Sequence, residues 1–227
     1  MPRIVGKMTP DEKRVKGATK GKVAPPKTKY IEPLLMATNI DDVHSRDNLN
    51  TIMRTLAVRL QDLLWSVVYK LLIVLHIMAR EGVKDVALEY LADHPNMLNL
   101  TLVLMLKASS YSNDVRFVIK YSKYLQCRVK EFVGTGIDYV RDDRPNHSST
   151  ASALPEVGGR LRSLTVEKGL LRETTSVQKQ IDALLKNTFM ENETNNDIVL
   201  TAFRLLVNDL LALFQELNEG FINFLEH

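Results

Sequence analysis

The sequence predicts an all-α protein made of successive antiparallel helices. Three observations support this. Apolar residues recur at helical spacing over long stretches, residues 63–79 form a 17-residue run that is apolar nearly all round, and no segment shows strand alternation or a hairpin signal. With 227 residues and 45% hydrophobic content, the chain can bury a substantial core as a single domain over 1–227. Helices with short connections can stack into a right-handed superhelix or close into a bundle. No fixed repeat of tetratricopeptide or ankyrin type is present.

In chain order, residues 1–10 read as flexible, although Ile4, Val5 and Met8 could form a short amphipathic turn before Pro10. A helix over roughly 11–20 would show Lys13, Lys16 and Lys20 on one side. Pro25-Pro26 stops it, and helix resumes over Tyr30 to Thr38, followed by a polar break at Asn39–Asp47. A further helix covers about 48–57. The apolar run 63–79 holds Lys70 and His76 between Asp62 and Arg80, so it is shorter and more polar than a membrane span. It reads as a central buried helix ended by Gly82, with Trp65, Tyr69 and His76 as packed residues whose polar tips are satisfied.

Shorter helices are expected over 84–92 and 96–107, broken at His94-Pro95. From Asp114 a helical stripe (Phe117, Tyr121, Tyr124, Leu125, Val129, Phe132, Val133, Ile137, Val140) persists for seven turns, with Lys120, Lys123, Arg128 and Lys130 largely off it, as on a solvated face. Residues 142–160 carry two prolines, paired glycines and a Ser/Thr cluster, which predicts a mobile loop. Helix returns near Val166–Lys186, with Leu170, Leu171, Val177, Ile181, Leu184 and Leu185 inward. A last helix spans about 196–226 along a stripe from Ile198 through Phe221 to Leu225.

Charge is distributed unevenly. Residues 1–30 contain nine basic and two acidic groups, a net of +7, while the remainder holds 21 basic against 25 acidic, a net of −4. The overall +3 thus hides a basic end on a mildly acidic body, which points to an anionic partner. Within Gly17–Tyr30 (GATKGKVAPPKTKY), Lys20, Lys22, Lys27 and Lys29 stand without any acid. If the piece after Pro26 is extended, Lys27 and Lys29 point the same way. A helix restarting near Lys29 and Tyr30 adds free backbone N–H groups and a positive dipole end, suited to phosphate.

Catalytic and metal-binding signatures are missing. There is no HExxH, no G-x-S-x-G, no Walker loop and no zinc spacing, so neither an enzyme nor a resident cofactor or metal is expected. Gly134-Thr135-Gly136 is a lone GxG inside a helical stripe and carries no nucleotide signal. Asp62-Leu63-Leu64 and Asp209-Leu210-Leu211 resemble coat-docking tripeptides but are expected within helix, where they cannot serve as flexible peptides. Cys127 is the only cysteine, which excludes an internal disulfide and suits a reducing compartment. The N-terminal residues lack a signal-peptide pattern, and neither end carries a lipidation motif. The remaining class is a binding module.

The basic stretch resembles the motif of ANTH domains of endocytic clathrin adaptors of the CALM type. Gly17-Ala18-Thr19, six residues, Pro26 and Lys27-Thr28-Lys29-Tyr30 fit each position, and the APPKTKY form is most similar to fungal members. Trp65–Lys70, Leu72-Ile73 with His76, Glu81-Gly82, Tyr121–Leu125, Gln180–Leu185 and Asn218–Asn223 extend the likeness over about 11–227. The resemblance implies a right-handed superhelical solenoid of the ENTH/VHS kind that stops short of the family's later helices. It also implies binding of phosphatidylinositol 4,5-bisphosphate in the inner leaflet, by Lys27, Lys29 and Tyr30. Gly17 stands where one branch of the family has a fourth lysine, so Lys13, Lys20 or Lys16 is the candidate replacement, Lys13 and Lys20 preferred. Clathrin and other coat proteins are implied for a tail outside this chain, and an epsin-type domain is a partner in part of the family. The implied location is cytoplasmic, peripheral on the plasma membrane and on clathrin-coated pits. The alternative is a helical nucleic-acid or phosphopeptide reader using the same basic end. Nucleic acid is not expected, because residues 1–29 contain no aromatic side chain for base stacking.

Overall fold

The computed structural model describes residues 8–41, 43–62, 64–83, 85–100, 113–142, 159–188 and 196–226. Helix α1 (Pro10–Ala18) starts on a reciprocal cap: Thr9 Oγ1 accepts from the Glu12 N–H, and Glu12 Oε2 accepts from the Thr9 N–H at 2.8 Å, with Pro10 preset at the first position. It is followed by α2 (Thr28–Met36), α3 (Val43–Arg59), α4 (Trp65–Glu81) and α5 (Val86–Asp93). The second half holds α6 (Asn113–Thr135), the single turns α7 (Tyr139–Asp142) and α8 (Arg160–Ser163), then α9 (Leu170–Leu185) and α10 (Asp197–Glu226). No strand occurs among the described residues, so the all-α expectation holds.

Packing follows chain order. α1 lies on α2 and α3, both of which rest on α4; α4 in turn meets α5, α6 and α10, and α9 bridges α6 and α10. Helix α4 is the hub because its sequence is apolar on every face, and Val67 to Leu75 are all buried. Gly82 ends it as expected, for a packing reason. Its φ is −66°, but a Cβ there would lie 2.4 Å from the Met78 carbonyl oxygen and 3.0 Å from the Thr38 side chain, whose Oγ1 accepts the Val83 N–H.

Several boundaries differ from the sequence reading. Helix α3 begins at Val43, inside the expected polar break, and α6 stops at Thr135 because Gly136 adopts φ +74°. The Gly134-Thr135-Gly136 step therefore terminates a helix instead of lying within one. Gly169, at φ +111°, likewise delays α9 to Leu170, leaving 166–169 as a turn. Leu171, Leu185, Phe221 and Leu225 face outward, contrary to the expected stripes. Residues 1–7 and 101–107 fall outside the described residues, and the described part of the expected second short helix, 96–100, is turn and irregular chain instead of helix; of the expected loop 142–160, residues 143–158 are also outside the described residues. Its last residues are anchored: the Gly159 N–H donates to Glu219, and Arg160 pairs with Glu173 at 2.8 Å.

A buried polar cluster ties the last long helix to the hub. Asp209 on α10 accepts from Tyr124 at 2.6 Å and Arg128 at 3.0 Å, pairs with His76 Nε2 at 2.6 Å, and takes a further bond from Arg80. Arg128, expected on a solvated face, is instead buried because it pairs with two buried carboxylates: it also forks onto Asp138 at 2.6 and 3.0 Å, and Tyr121 shares a 2.7 Å bond with His76 Nδ1. Burial alone would raise the Asp209 pKa. His76 and Arg128 beside it, and the bonds from His76 and Tyr124, outweigh it and hold the carboxyl far below its ordinary value. Asp209 is thus a buried anchor, as its helical setting implied. The other tripeptide departs from expectation, because Asp62 and Leu64 lie in the α3–α4 connection and not in helix. Tyr69 is buried as expected, but its hydroxyl has no hydrogen-bond partner among the described residues, and burial pushes its pKa up.

Candidate functional site

The connection between α1 and α2, residues 19–27, carries the basic stretch, and its backbone is fastened from beneath. Arg59 on α3 donates from Nε to Thr19 Oγ1 at 2.9 Å and from its terminal nitrogen to the Thr19 carbonyl at 3.0 Å. Lys70 Nζ on α4 donates to the Lys20 carbonyl at 2.6 Å, and Ser66 Oγ to the Gly21 carbonyl at 3.0 Å. Three successive carbonyls are thereby turned toward the body, and the Lys20 and Lys22 side chains are left exposed. A hydrogen bond from a charged donor contributes about 1.5–3 kcal/mol, so this connection is a held ledge and not a free loop. Lys70 is only 3% exposed, and desolvation lowers its pKa. It works as a fastener and is not available as a surface ligand.

The ledge corrects two expectations. Helix α1 ends at Ala18, so Lys20 does not continue the Lys13–Lys16 face; the Arg59 grip on Thr19 draws the chain off the helix axis there. Extended backbone reaches only Lys27, which caps α2 at φ −76° and ψ 133°, and Lys29 sits inside the first helical turn. No side chain caps the start of α2, which carries the positive end of the helix dipole beside Lys27 and Lys29 in the chain.

Tyr30 is seated by a glycine. A Cβ on Gly17 would lie 2.4 Å from Tyr30 Cε1, 2.6 Å from Cζ and 2.7 Å from Cδ1, so the ring occupies the space that a side chain at position 17 would need. Lys29 Nζ in turn lies 5.1 Å from the Tyr30 ring centroid, a cation–π distance. The three residues thus form one unit: Gly17 admits the ring and the ring carries the ammonium.

Lys13 and Lys16 are both exposed on α1, and Lys16 Nζ leans back to Met8 Sδ at 3.3 Å. The two nearby acids are engaged locally, Asp11 with Arg14 at 2.6 Å and Glu12 in the helix cap. Among the described residues none of Lys13, Lys16, Lys20, Lys22, Lys27 or Lys29 is paired with a carboxylate. The sequence showed Lys70 as a charge in an apolar run and, with Ser66, as part of the Trp65–Lys70 likeness to the family, but gave neither residue nor Arg59 a part in the site. A lysine inside an otherwise apolar helix was the one available signal, since such a group has to find a buried acceptor.

The ANTH domain family profile matches residues 12–227. The chain belongs to the ANTH domain family. Clathrin coat assembly protein AP180A of Saccharomyces cerevisiae is 36% identical over 219 residues, covering 96% of this chain and 33% of that protein. Human clathrin coat assembly protein AP180 is 32% identical over 210 residues, covering 92% of this chain and 21% of that protein. The chain thus spans about a third or less of the length of these curated relatives. Among solved structures, the ENTH domain of epsin-2, in complex with phosphatidylinositol 4,5-bisphosphate, superposes with a TM-score of 0.63 at 12% identity, covering 95% of this ANTH chain and 79% of that one. That likeness is one of fold. No helix among the described residues of the ANTH chain is long and apolar enough to cross a membrane.

Proposed function

We propose that this ANTH domain recruits a clathrin adaptor to membranes by binding the headgroup of phosphatidylinositol 4,5-bisphosphate. Lys27, Lys29 and Tyr30 are the first contacts, and Lys13 and Lys20 stand in for the basic residue that Gly17 lacks. Lys16, drawn toward Met8, is the weakest candidate. The observation that carries this reading is the set of exposed lysines without carboxylate partners among the described residues, on α1, at the start of α2 and on the connection between them, whose backbone at Thr19–Gly21 is fastened by Arg59, Ser66 and Lys70. Ammonium groups carried on helices and on a fastened connection meet ring phosphates with less backbone ordering entropy to lose than those of a free tail. Its relatives among clathrin coat assembly proteins support a place at coated membranes, peripheral to the cytoplasmic leaflet.

The test is sedimentation with liposomes containing phosphatidylinositol 4,5-bisphosphate, comparing the native domain with Lys27→Glu/Lys29→Glu. Each basic residue beside an anionic leaflet contributes about 1 kcal/mol, so reversing two charges shifts binding by about 4 kcal/mol, on the order of a thousandfold. Loss of pelleting with an unchanged circular dichroism spectrum is the expected result, and unchanged pelleting overturns the site.

A further inference from the structure

The same ledge carries aliphatic side chains where a purely electrostatic site would carry none. Val23 lies in its bend, 53% exposed, with Lys20 and Lys22 before it in the chain and Lys27 and Lys29 after it. Leu64, at the start of α4, is 55% exposed. It lies against the ledge backbone because position 21 is glycine, where a Cβ would stand 3.0 Å from Leu64 Cδ1. Scattered exposed aliphatics are ordinary on any surface. Leu64 meets the ledge at Gly21, two residues before Val23 and between Lys20 and Lys22 in the chain, and the backbone there is unusual.

From Thr19 to Lys22, four successive carbonyls are already bonded inside the protein, to Arg59, Lys70, Ser66 and, for Lys22, the Ala24 N–H at 2.9 Å. Pro25 and Pro26 have no N–H to satisfy. Open backbone groups are what normally keep an irregular segment out of an apolar medium. On this ledge most of the acceptors at the bend have been removed from solvent in advance. Lysines flanking such a bend can keep their ammonium groups at phosphate level while their stems follow the apolar residue inward.

We infer that Val23 and Leu64 form an apolar wedge that enters the boundary between headgroups and acyl chains of an anionic bilayer once the neighbouring lysines engage phosphates. The inference rests on the lipid-headgroup reading and adds a second surface to it. Charge complementarity selects the occupant: exposed Lys20, Lys22, Lys27 and Lys29 flank Val23 along the chain, and the one acid beside Leu64, Asp62, is bonded to the Leu64 N–H and paired with Arg59, so the apolar pair faces a surface that is both apolar and anionic, as a bilayer interface is. The step is reversible and non-covalent. It makes vesicle binding partly resistant to salt, which headgroup contacts alone are not.

Trp65, the only tryptophan in the chain, directly follows Leu64 and serves as a built-in probe. The experiment compares the native domain with Val23→Ser/Leu64→Ser, both sites being more than half exposed and therefore tolerant of exchange. Vesicles of phosphatidylcholine carrying phosphatidylinositol 4,5-bisphosphate, with or without brominated acyl chains, report binding and Trp65 quenching, and calorimetry with soluble inositol trisphosphate reports headgroup binding alone. The expected result is unchanged affinity for the soluble headgroup, about a tenfold loss for vesicles that grows with salt, and loss of bromine quenching. Equal vesicle affinity and equal quenching in the variant overturn the wedge and leave the headgroup site standing. Failure of the native domain to bind the headgroup in either form overturns both. A change confined to sedimentation of the lipid-free protein would assign the pair to contact between copies and likewise overturn the wedge.

Discussion

Replacing Gly17 with alanine tests whether the seat of Tyr30 matters. The added methyl would stand 2.4–2.7 Å from three atoms of the ring, against about 3.5–4.0 Å for an ordinary carbon contact, so the ring has to retreat by about 1 Å. Overpacking of this kind costs about 1–3 kcal/mol, while exchanging glycine for alanine in a helix returns about 0.5–1 kcal/mol. The net expectation is a destabilisation of about 1–2 kcal/mol, or a fall in Tm of about 2–8 °C for a domain of this size. Because Lys29 Nζ rides over the same ring, headgroup affinity falls with it. Thermal unfolding and calorimetric titration with inositol trisphosphate read the two effects. In Gly17→Ala/Tyr30→Ala the clash disappears, so the two changes should be less than additive in stability, with a coupling of about 0.5–3 kcal/mol. A Gly17→Ala protein that melts higher than the native one and binds the headgroup equally well would show that the close approach constrains nothing.

The other predictions concern the fastening of the ledge and the buried anchor. Lys70→Met removes the donor to the Lys20 carbonyl but also a desolvated charge, so stability should stay within about 1–2 kcal/mol of native while amide exchange at Lys22 to Ala24 accelerates and headgroup affinity drops. Unaltered exchange in that segment would mean the ledge is held by other contacts. Asp209→Asn leaves Arg128 and Arg80 short of a buried anion and should cost about 3–5 kcal/mol in denaturant unfolding. The folded-state pKa of Asp209 lies below its unfolded value, so its stabilisation is complete above about pH 4 and is lost as pH falls further. The native Tm should decline on acidification through that window, and the Asn variant should show a shallower decline. Parallel curves would remove Asp209 from the acid response.

Most of the helices were legible in the sequence because periodicity and breakers are local properties. The stripe through Phe117, Tyr121 and Tyr124, the run after Trp65 and the Pro25-Pro26 stop each act through neighbours a few residues away. Misreadings came where a single backbone or packing event overrode the pattern. Gly136 turned into the left-handed region and cut α6 short, although the apolar spacing continues to Val140. Leu225 fits the α10 stripe but is 84% exposed, because periodicity marks a face without saying whether a neighbouring helix covers it. Within the candidate site, the motif singled out Lys27, Lys29 and Tyr30 but left open whether Lys29 lies in extended chain or at a helix start, since where a helix restarts after proline is poorly marked in sequence; α2 begins at Thr28.

By itself, the sequence determined the all-helical class, the concentration of positive charge at one end, and the spacing of lysines that can meet phosphates. Each of these is a property of composition or of residues close along the chain. Only the tertiary structure decided what holds the backbone at Thr19–Gly21, between the two helices that carry most of those lysines. Arg59, Ser66 and Lys70 reach residues 40–50 positions earlier, and Asp209 gathers His76, Arg80, Tyr124 and Arg128 from 81–133 positions away. The Gly17–Tyr30 contact likewise exists because α1 and α2 cross at that point. Where helices cross depends on the packing of whole faces against one another, and no local pattern along one helix encodes it.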